Sequence, residues 1–244
     1  MNTMRKLITV LLLTITIALN AQDFEGTLTY LADIKIVSQK MLDMGMTEEI
    51  LKSKMETEGR WADTIKISYK NGFYRQLNLS AVKSWIIYRP DSNKLYTFQE
   101  GDASNICIVT DASIDLENKM TGKMPTVTLL DSIYSDDEFE LRAVEVKWST
   151  GSYYYLYDEN HFKANPENFK DHIYDGFYEF LKLAKSLPIE IYKKTNDIIK
   201  VRLTLIDSSD EQIDYSLFQV PELIEDENLN LFNTGAGKMM RIKK

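Results

Sequence analysis

The sequence predicts a mainly β (α+β) protein of about eleven antiparallel strands interrupted by short helices. Three observations carry that prediction. Apolar and polar residues alternate with period two over much of residues 61–110 and 144–206. Short Gly- and Asn-bearing turns separate the runs, and a helical period is confined to two segments.

Residues 24–31 read as the first strand. Ser38 to Glu56 holds Met41, Met44, Met46, Ile50, Leu51 and Met55 at helical spacing, broken by Gly45, with Thr47 as a new N-cap. Trp61, Ile65, Ile67 and Tyr69 then alternate with Thr64, Lys66, Ser68 and Lys70, the pattern of a half-buried strand. After Asn71-Gly72, Phe73, Leu77 and Leu79 continue the alternation. A three-residue loop with Gly72 as a bulge would pair Tyr69 with Phe73 and Ile65 with Leu77. That register stacks apolar on apolar and is the one expected.

Strands are expected at 83–89, 94–99, 105–110 and 126–134. Val144, Val146 and Trp148 lead through Ser149-Thr150-Gly151 into SYYYLYDE. With Gly151 as a bulge, Val146 would face Tyr154 and Val144 Leu156, leaving Tyr153, Tyr155 and Tyr157 on the other face. Such a tyrosine stripe is either a packed sheet surface with wetted hydroxyls or one wall of a binding groove. Asn165-Pro166-Glu167 is a helix start, and Phe177, Leu181 and Ala184 follow at helical spacing until Pro188. Strands at 189–194 and 198–206 close the pattern. Glu222 to Asn228 is acidic and the end is basic with two glycines, so 224–244 is expected to be a mobile tail.

The amino terminus predicts an address. Arg5 and Lys6 precede the apolar run Leu7 to Leu19, and Ala21-Gln22 offers a cleavage point, the pattern of a secretory signal peptide over residues 1–21. The apolar run is short of the roughly 20 residues that span a membrane, and no other run is longer, so the mature chain has no transmembrane segment. Gln22 supplies no lipoprotein cysteine. The expected location is periplasmic or secreted, with residues 22–223 as one domain.

Composition narrows function by exclusion. The 244 residues carry 29 bases against 37 acids, too acidic a balance for a nucleic-acid binder. One cysteine, Cys107 in the strand ICIVT, excludes an internal disulfide and reads as an inert core thiol. Only His161 and His172 could serve a hydrolytic triad, and no G-x-S-x-G turn accompanies them. Asp171, His172, Asp175 and Glu179 share a helical spacing, read as a solvated face and not a metal site. No Gly-rich phosphate loop is present, so no cofactor and no enzymatic activity are expected.

The order of segments also resembles a known family. After the export signal come FEGTLTY, a Met-rich helix, SYKNGFYRQ, YYYLYDENHFKANPENFKDH, SLPIEIY, IKVRLTL and DYSLFQVPEL. Over residues 24 to 223 this resembles uncharacterised exported bacterial proteins grouped with the lipoprotein-carrier (LolA/LolB-like) superfamily. The resemblance implies a strongly bent antiparallel half-barrel closed by short helices, with a cavity for an acyl chain or lipid. By position it makes Met41, Met44, Met46, Leu51 and Met55 part of a lid, and Ile65, Ile67, Tyr69, Phe73 and Leu77 one of two candidate concave faces. The residues alone leave the methionines open between core filler and ligand surface. The expected function is binding or carrying a hydrophobic ligand in the envelope. The alternatives are a non-enzymatic envelope module that contacts a protein partner over a filled core, and an unrecognised hydrolase.

Overall fold

The computed structural model describes residues 23–101, 105–135, 139–232 and 237–243. The expected signal peptide and its cleavage at Ala21 and Gln22 lie outside the described residues. Within them the protein is mainly β, built on one 13-stranded antiparallel sheet that does not close. In chain order the strands are β1 (Gly26–Ile36), β2 (Thr64–Lys70), β3 (Phe73–Leu79), β4 (Lys83–Arg89), β5 (Lys94–Glu100) and β6 (Asn105–Asp111). They continue as β7 (Thr126–Ser135), β8 (Glu140–Lys147), β9 (Gly151–Tyr157), β10 (Glu190–Thr195), β11 (Ile199–Ser209), β12 (Leu223–Ile224) and β13 (Gly237–Ile242). Their order across the sheet is 12-13-6-5-4-3-2-1-11-10-9-8-7, two meanders joined by the β1–β11 pair.

Among the described residues four α-helices interrupt the strands: α1 (Gln39–Asp43), α2 (Glu48–Thr57), α3 (Leu116–Thr121) and α4 (Phe177–Ala184). Ser38 and Thr47 cap α1 and α2, their hydroxyls accepting from the amides of Met41 and Ile50. Asn165 caps a short 3-10 turn, Pro166–Phe169, in place of the expected longer helix. β1 runs five residues beyond its expected end at residue 31, because Ala32, Ile34 and Ile36 keep the alternation and are buried. Residues 237–242, expected in a mobile tail, pair as β13 with β6, where Met240 sits opposite Cys107.

Both expected hairpin registers are corrected. Asn71 (φ 47°) and Gly72 (φ 83°) form a two-residue turn with both φ values positive, so Tyr69 faces Tyr74 and Ile65 faces Asn78. A Cβ on Gly72 would come within 2.8 Å of the Asn168 carbonyl oxygen, so the close approach of the 166–169 turn also demands glycine. Stacking apolar on apolar presumed one buried face, but this sheet is covered on both. Ile65, Ile67, Tyr69 and Tyr74 point to the inner face. Phe73 and Leu77 point to the outer one, packing with Trp85, Phe98, Cys107 and Phe218.

The second hairpin also turns on two residues, Ser149 and Thr150, which sets Val146 opposite Tyr153 and Val144 opposite Tyr155. Tertiary contacts hold that turn. The Glu117 carboxylate of α3 accepts from the amides and hydroxyls of both Ser149 and Thr150, and those bonds hold its pKa down to about 2.

The outer cluster is roofed by the segment after β11. Lys70, 9% exposed, fastens it by donating to Glu25 (2.6 Å) and to the Ile213 carbonyl (2.6 Å). The inner face holds the larger core, centred on Leu28, Tyr30, Val144, Phe180 and Leu181, all fully buried. Two segments cross it. Residues 38–60 cover the end near Ile34 and Trp61, and residues 162–188 cover the middle.

Candidate functional site

The inner face is not filled completely. A cavity of about 230 Å³ lies between the sheet and the second crossing segment. Its floor comes from β2 to β6: Ile67 and Tyr69, Tyr74 and Gln76, Ile86, then Leu95, Thr97 and Thr110. Its far wall comes from β9 and β10, through Tyr155, Ile191 and Lys193. β1 and β11 lie between those two groups in the sheet, so the sheet bends sharply enough to bring its two meanders across from one another. His172, Tyr174, Asp175 and Phe177 form the roof.

Each roof residue has a physical anchor. His172 is 2% exposed, packs on the Tyr88 ring at 4.4 Å, and shares a 2.9 Å hydrogen bond between Nε2 and the Tyr74 hydroxyl. Burial pulls its pKa down to about 4, so the imidazole is neutral at pH 7. Its Nδ1 is buried with no partner among the described residues. Phe180 of α4 stacks on Tyr155 at 4.5 Å and fixes the helix over the sheet. Gly176 lets the chain enter α4, since a Cβ there would meet Val146 Cγ1 at 2.5 Å. Asp175 holds a left-handed conformation (φ 57°), and its carbonyl accepts from the Tyr155 hydroxyl at 3.0 Å. Desolvation raises the pKa of its carboxyl, opposed by the Lys193 ammonium 3.9 Å away.

A second cavity, of about 260 Å³, adjoins the first at the turn between β8 and β9. Trp148, Tyr153 and Tyr174 supply rings to it, and Asp115, Glu117 and Asp175 supply carboxylates. Tyr174 and Asp175 belong to both cavities.

The expected site residues are divided by this geometry. Ile67 and Tyr69 line the cavity, whereas Ile65 packs into the inner core. Phe73 and Leu77 do not share their face and belong to the outer cluster. Met41, Met44, Met46, Leu51 and Met55 are not among the lining residues. Leu51 and Met55 pack on the inner core, Met41 and Met46 are half-buried, and Met44 is 75% exposed. The segment meets the sheet through Leu51 and Met55, while Leu42, Met44 and Ile50 are exposed.

Sequence reading missed Tyr74, Gln76 and Ile86, and of the roof it placed His172 and Asp175 on a solvated helix face, whereas His172 is 2% exposed and Asp175 sits in a kinked 3-10 turn. One available signal was the tyrosine stripe: with the corrected register, Tyr155 lines the first cavity and Tyr153 the second. Cys107 is fully buried, and burial pushes its thiol up to about 12. Among the described residues no three His, Cys, Asp or Glu side chains are grouped to hold a metal, and no helix is long and apolar enough to cross a membrane. The chain matches no known family model, and no curated protein is similar to it.

Proposed function

We propose that this protein is an exported binder or carrier of a small apolar ligand, held in the cavity under the His172–Phe177 roof. One observation carries the reading: a cavity of about 230 Å³ with mostly aliphatic and aromatic walls, drawn from two distant parts of the sheet. An apolar cavity of about 150 Å³ holds benzene, so this volume suits a ligand of roughly nine heavy atoms. A single short alkyl chain fits that size. The resemblance to the lipoprotein-carrier superfamily supports the reading, since a bent antiparallel half-barrel with a ligand under its helices is what that superfamily implies. The export signal read in residues 1–21 supports an envelope location for the ligand. The reading is non-enzymatic: the neutral, buried His172 ring is engaged with the Tyr74 hydroxyl and serves the roof as a packed side chain.

The test uses 1-octanol, which has the right number of heavy atoms. At roughly ten times Kd a ligand specific to the folded state adds about 1.4 kcal/mol, a rise in Tm of roughly 3–6 °C. Ile86→Trp, which fills the cavity floor, is expected to remove that rise while the variant stays folded. No response of the wild type to octanol or to any other alkyl compound sinks the carrier reading.

A second reading has its own observation. Leu42, Met44 and Ile50, at 41%, 75% and 51% exposure, put apolar side chains on the outer side of the first crossing segment. An envelope protein partner docking on α1 and α2 would account for it. In that case cross-linking from position 44 in the intact envelope should capture one protein, and octanol should have no effect.

A further inference from the structure

The polar end of the cavity carries information about the ligand beyond its apolar body, and it rests on the cavity reading above. Across the two cavities the lining carries three carboxylates, Asp115, Glu117 and Asp175, and one cation, Lys193, with Asp175 alone on the wall that both share. The carboxylates of Asp115 and Glu117 already have donors. Asp115 caps α3 through the Asn118 amide (2.7 Å) and accepts the Trp148 indole N–H (2.8 Å), and Glu117 is committed to Ser149 and Thr150. Asp175 differs from both. Its carboxylate has no hydrogen-bond donor among the described residues, and the Lys193 ammonium, at 3.9 Å, stands beyond hydrogen-bonding reach. Its backbone is held by Tyr155, so the carboxylate stays at the wall shared by both cavities.

The surroundings favour a cation there. Trp148, Tyr153 and Tyr174 line the adjoining cavity, and aromatic faces attract ammonium groups. The Tyr153 ring already receives one, with Lys193 Nζ 4.7 Å from its centroid. An anionic head group would meet only Lys193 and be repelled by the three carboxylates. A cationic one gains Asp175 and the field of the other two.

We infer that the ligand is a cationic amphiphile, a free alkylammonium compound whose chain lies beside Ile67, Ile86 and Leu95 and whose ammonium is bound by Asp175. A free amine is favoured over an aminolipid because the first cavity holds roughly nine heavy atoms, less than one lipid chain.

Isothermal titration of the exported protein at pH 7 with octylammonium, 1-octanol and octanoate tests this. The expected order is octylammonium, then octanol, then octanoate, with octylammonium roughly ten-fold tighter than octanol for one charge-assisted hydrogen bond. Asp175→Asn is expected to bring octylammonium to the level of octanol and leave octanol unchanged; asparagine accepts the left-handed backbone as aspartate does. Lys193→Met, a second variant that does not depend on Asp175, is expected to widen the preference for octylammonium. Vesicles containing phosphatidylethanolamine are expected not to retain the protein, and retention would overturn the free-amine assignment. Octanol binding with no preference for octylammonium overturns the head-group inference and leaves the cavity reading standing. Tightest binding of octanoate overturns it in favour of Lys193 as the anchor. Failure of all three compounds to bind overturns both.

Discussion

Two segments cross the inner face of the sheet, and they do so by different means. Residues 38–60 carry α1 and α2, both well capped, yet neither helix has a single buried residue. Their hold on the sheet is a few half-buried side chains, the bond from the Ile36 amide to Glu48 (3.1 Å) and the Lys52–Asp33 pair (3.3 Å). Residues 162–188 have poorer helical character, two 3-10 turns and one short helix, yet they bury Phe169, His172, Phe180 and Leu181. Local helix chemistry and cover of a core are thus separate properties here. Aromatic density, not capping or methionine content, marks the segment that closes the cavity.

The largest expected effect falls on the second segment. Phe180→Ala removes a fully buried ring stacked on Tyr155 and should cost about 3–5 kcal/mol in urea unfolding. A loss below about 1 kcal/mol would mean that the roof is not packed as a core.

Next comes a pH effect confined to the same segment. His172 has its folded pKa near 4, below the unfolded value of 6.5, so the unfolded state binds the proton first on acidification. Its contribution is complete above pH 6.5 and should fall away towards pH 4 by about 3 kcal/mol, since a tenfold difference in proton affinity between the two states is worth about 1.4 kcal/mol. Asp175, whose carboxyl is raised by burial, pulls in the opposite direction. The readout is therefore the difference between the wild type and His172→Gln, whose amide cannot titrate. Parallel stability curves from pH 7 to 4 would show that His172 is not buried.

The smallest effects belong to the first segment. Leu51→Ala should cost about 1 kcal/mol, because the side chain is only half-buried, and Met44→Ala should stay within about 0.5 kcal/mol. Neither should change octanol binding. A shift in octanol affinity with Leu51→Ala would place the Met-rich segment back over the ligand.

Much of the fold was legible in the alternation. Ile65, Ile67 and Tyr69 against Lys66, Ser68 and Lys70 mark β2, and the caps Ser38 and Thr47 mark α1 and α2. Registers were less legible, because Phe73 and Leu77 are apolar for the sake of a second core that the returning 210–223 segment and Ile242 of β13 complete. The cavity was least legible of all. Tyr74, Tyr155 and His172 meet in space through a sheet bend that no local pattern encodes, and of the expected residues only Ile67 and Tyr69 lie on its wall.

The strand order has a consequence for the time course of folding. β2 to β6, β7 to β9, and β10 with β11 are runs of neighbouring hairpins, which close quickly because their loops are short, whereas residues 158–189 separate β9 from β10. β1 is different: it pairs with β2 beside it and with β11 far along the chain, Ile34 opposite Val201. A growing chain therefore makes β1 among its first strands and completes its pairing among its last. In the interval the first meander carries an open flank of buried-type residues, Leu28, Tyr30 and Ile34, with an unsatisfied row of amides and carbonyls beside them. The β1–β11 seam joins the halves only once β11 has been made, and a chaperone or an unwanted partner would meet the molecule there.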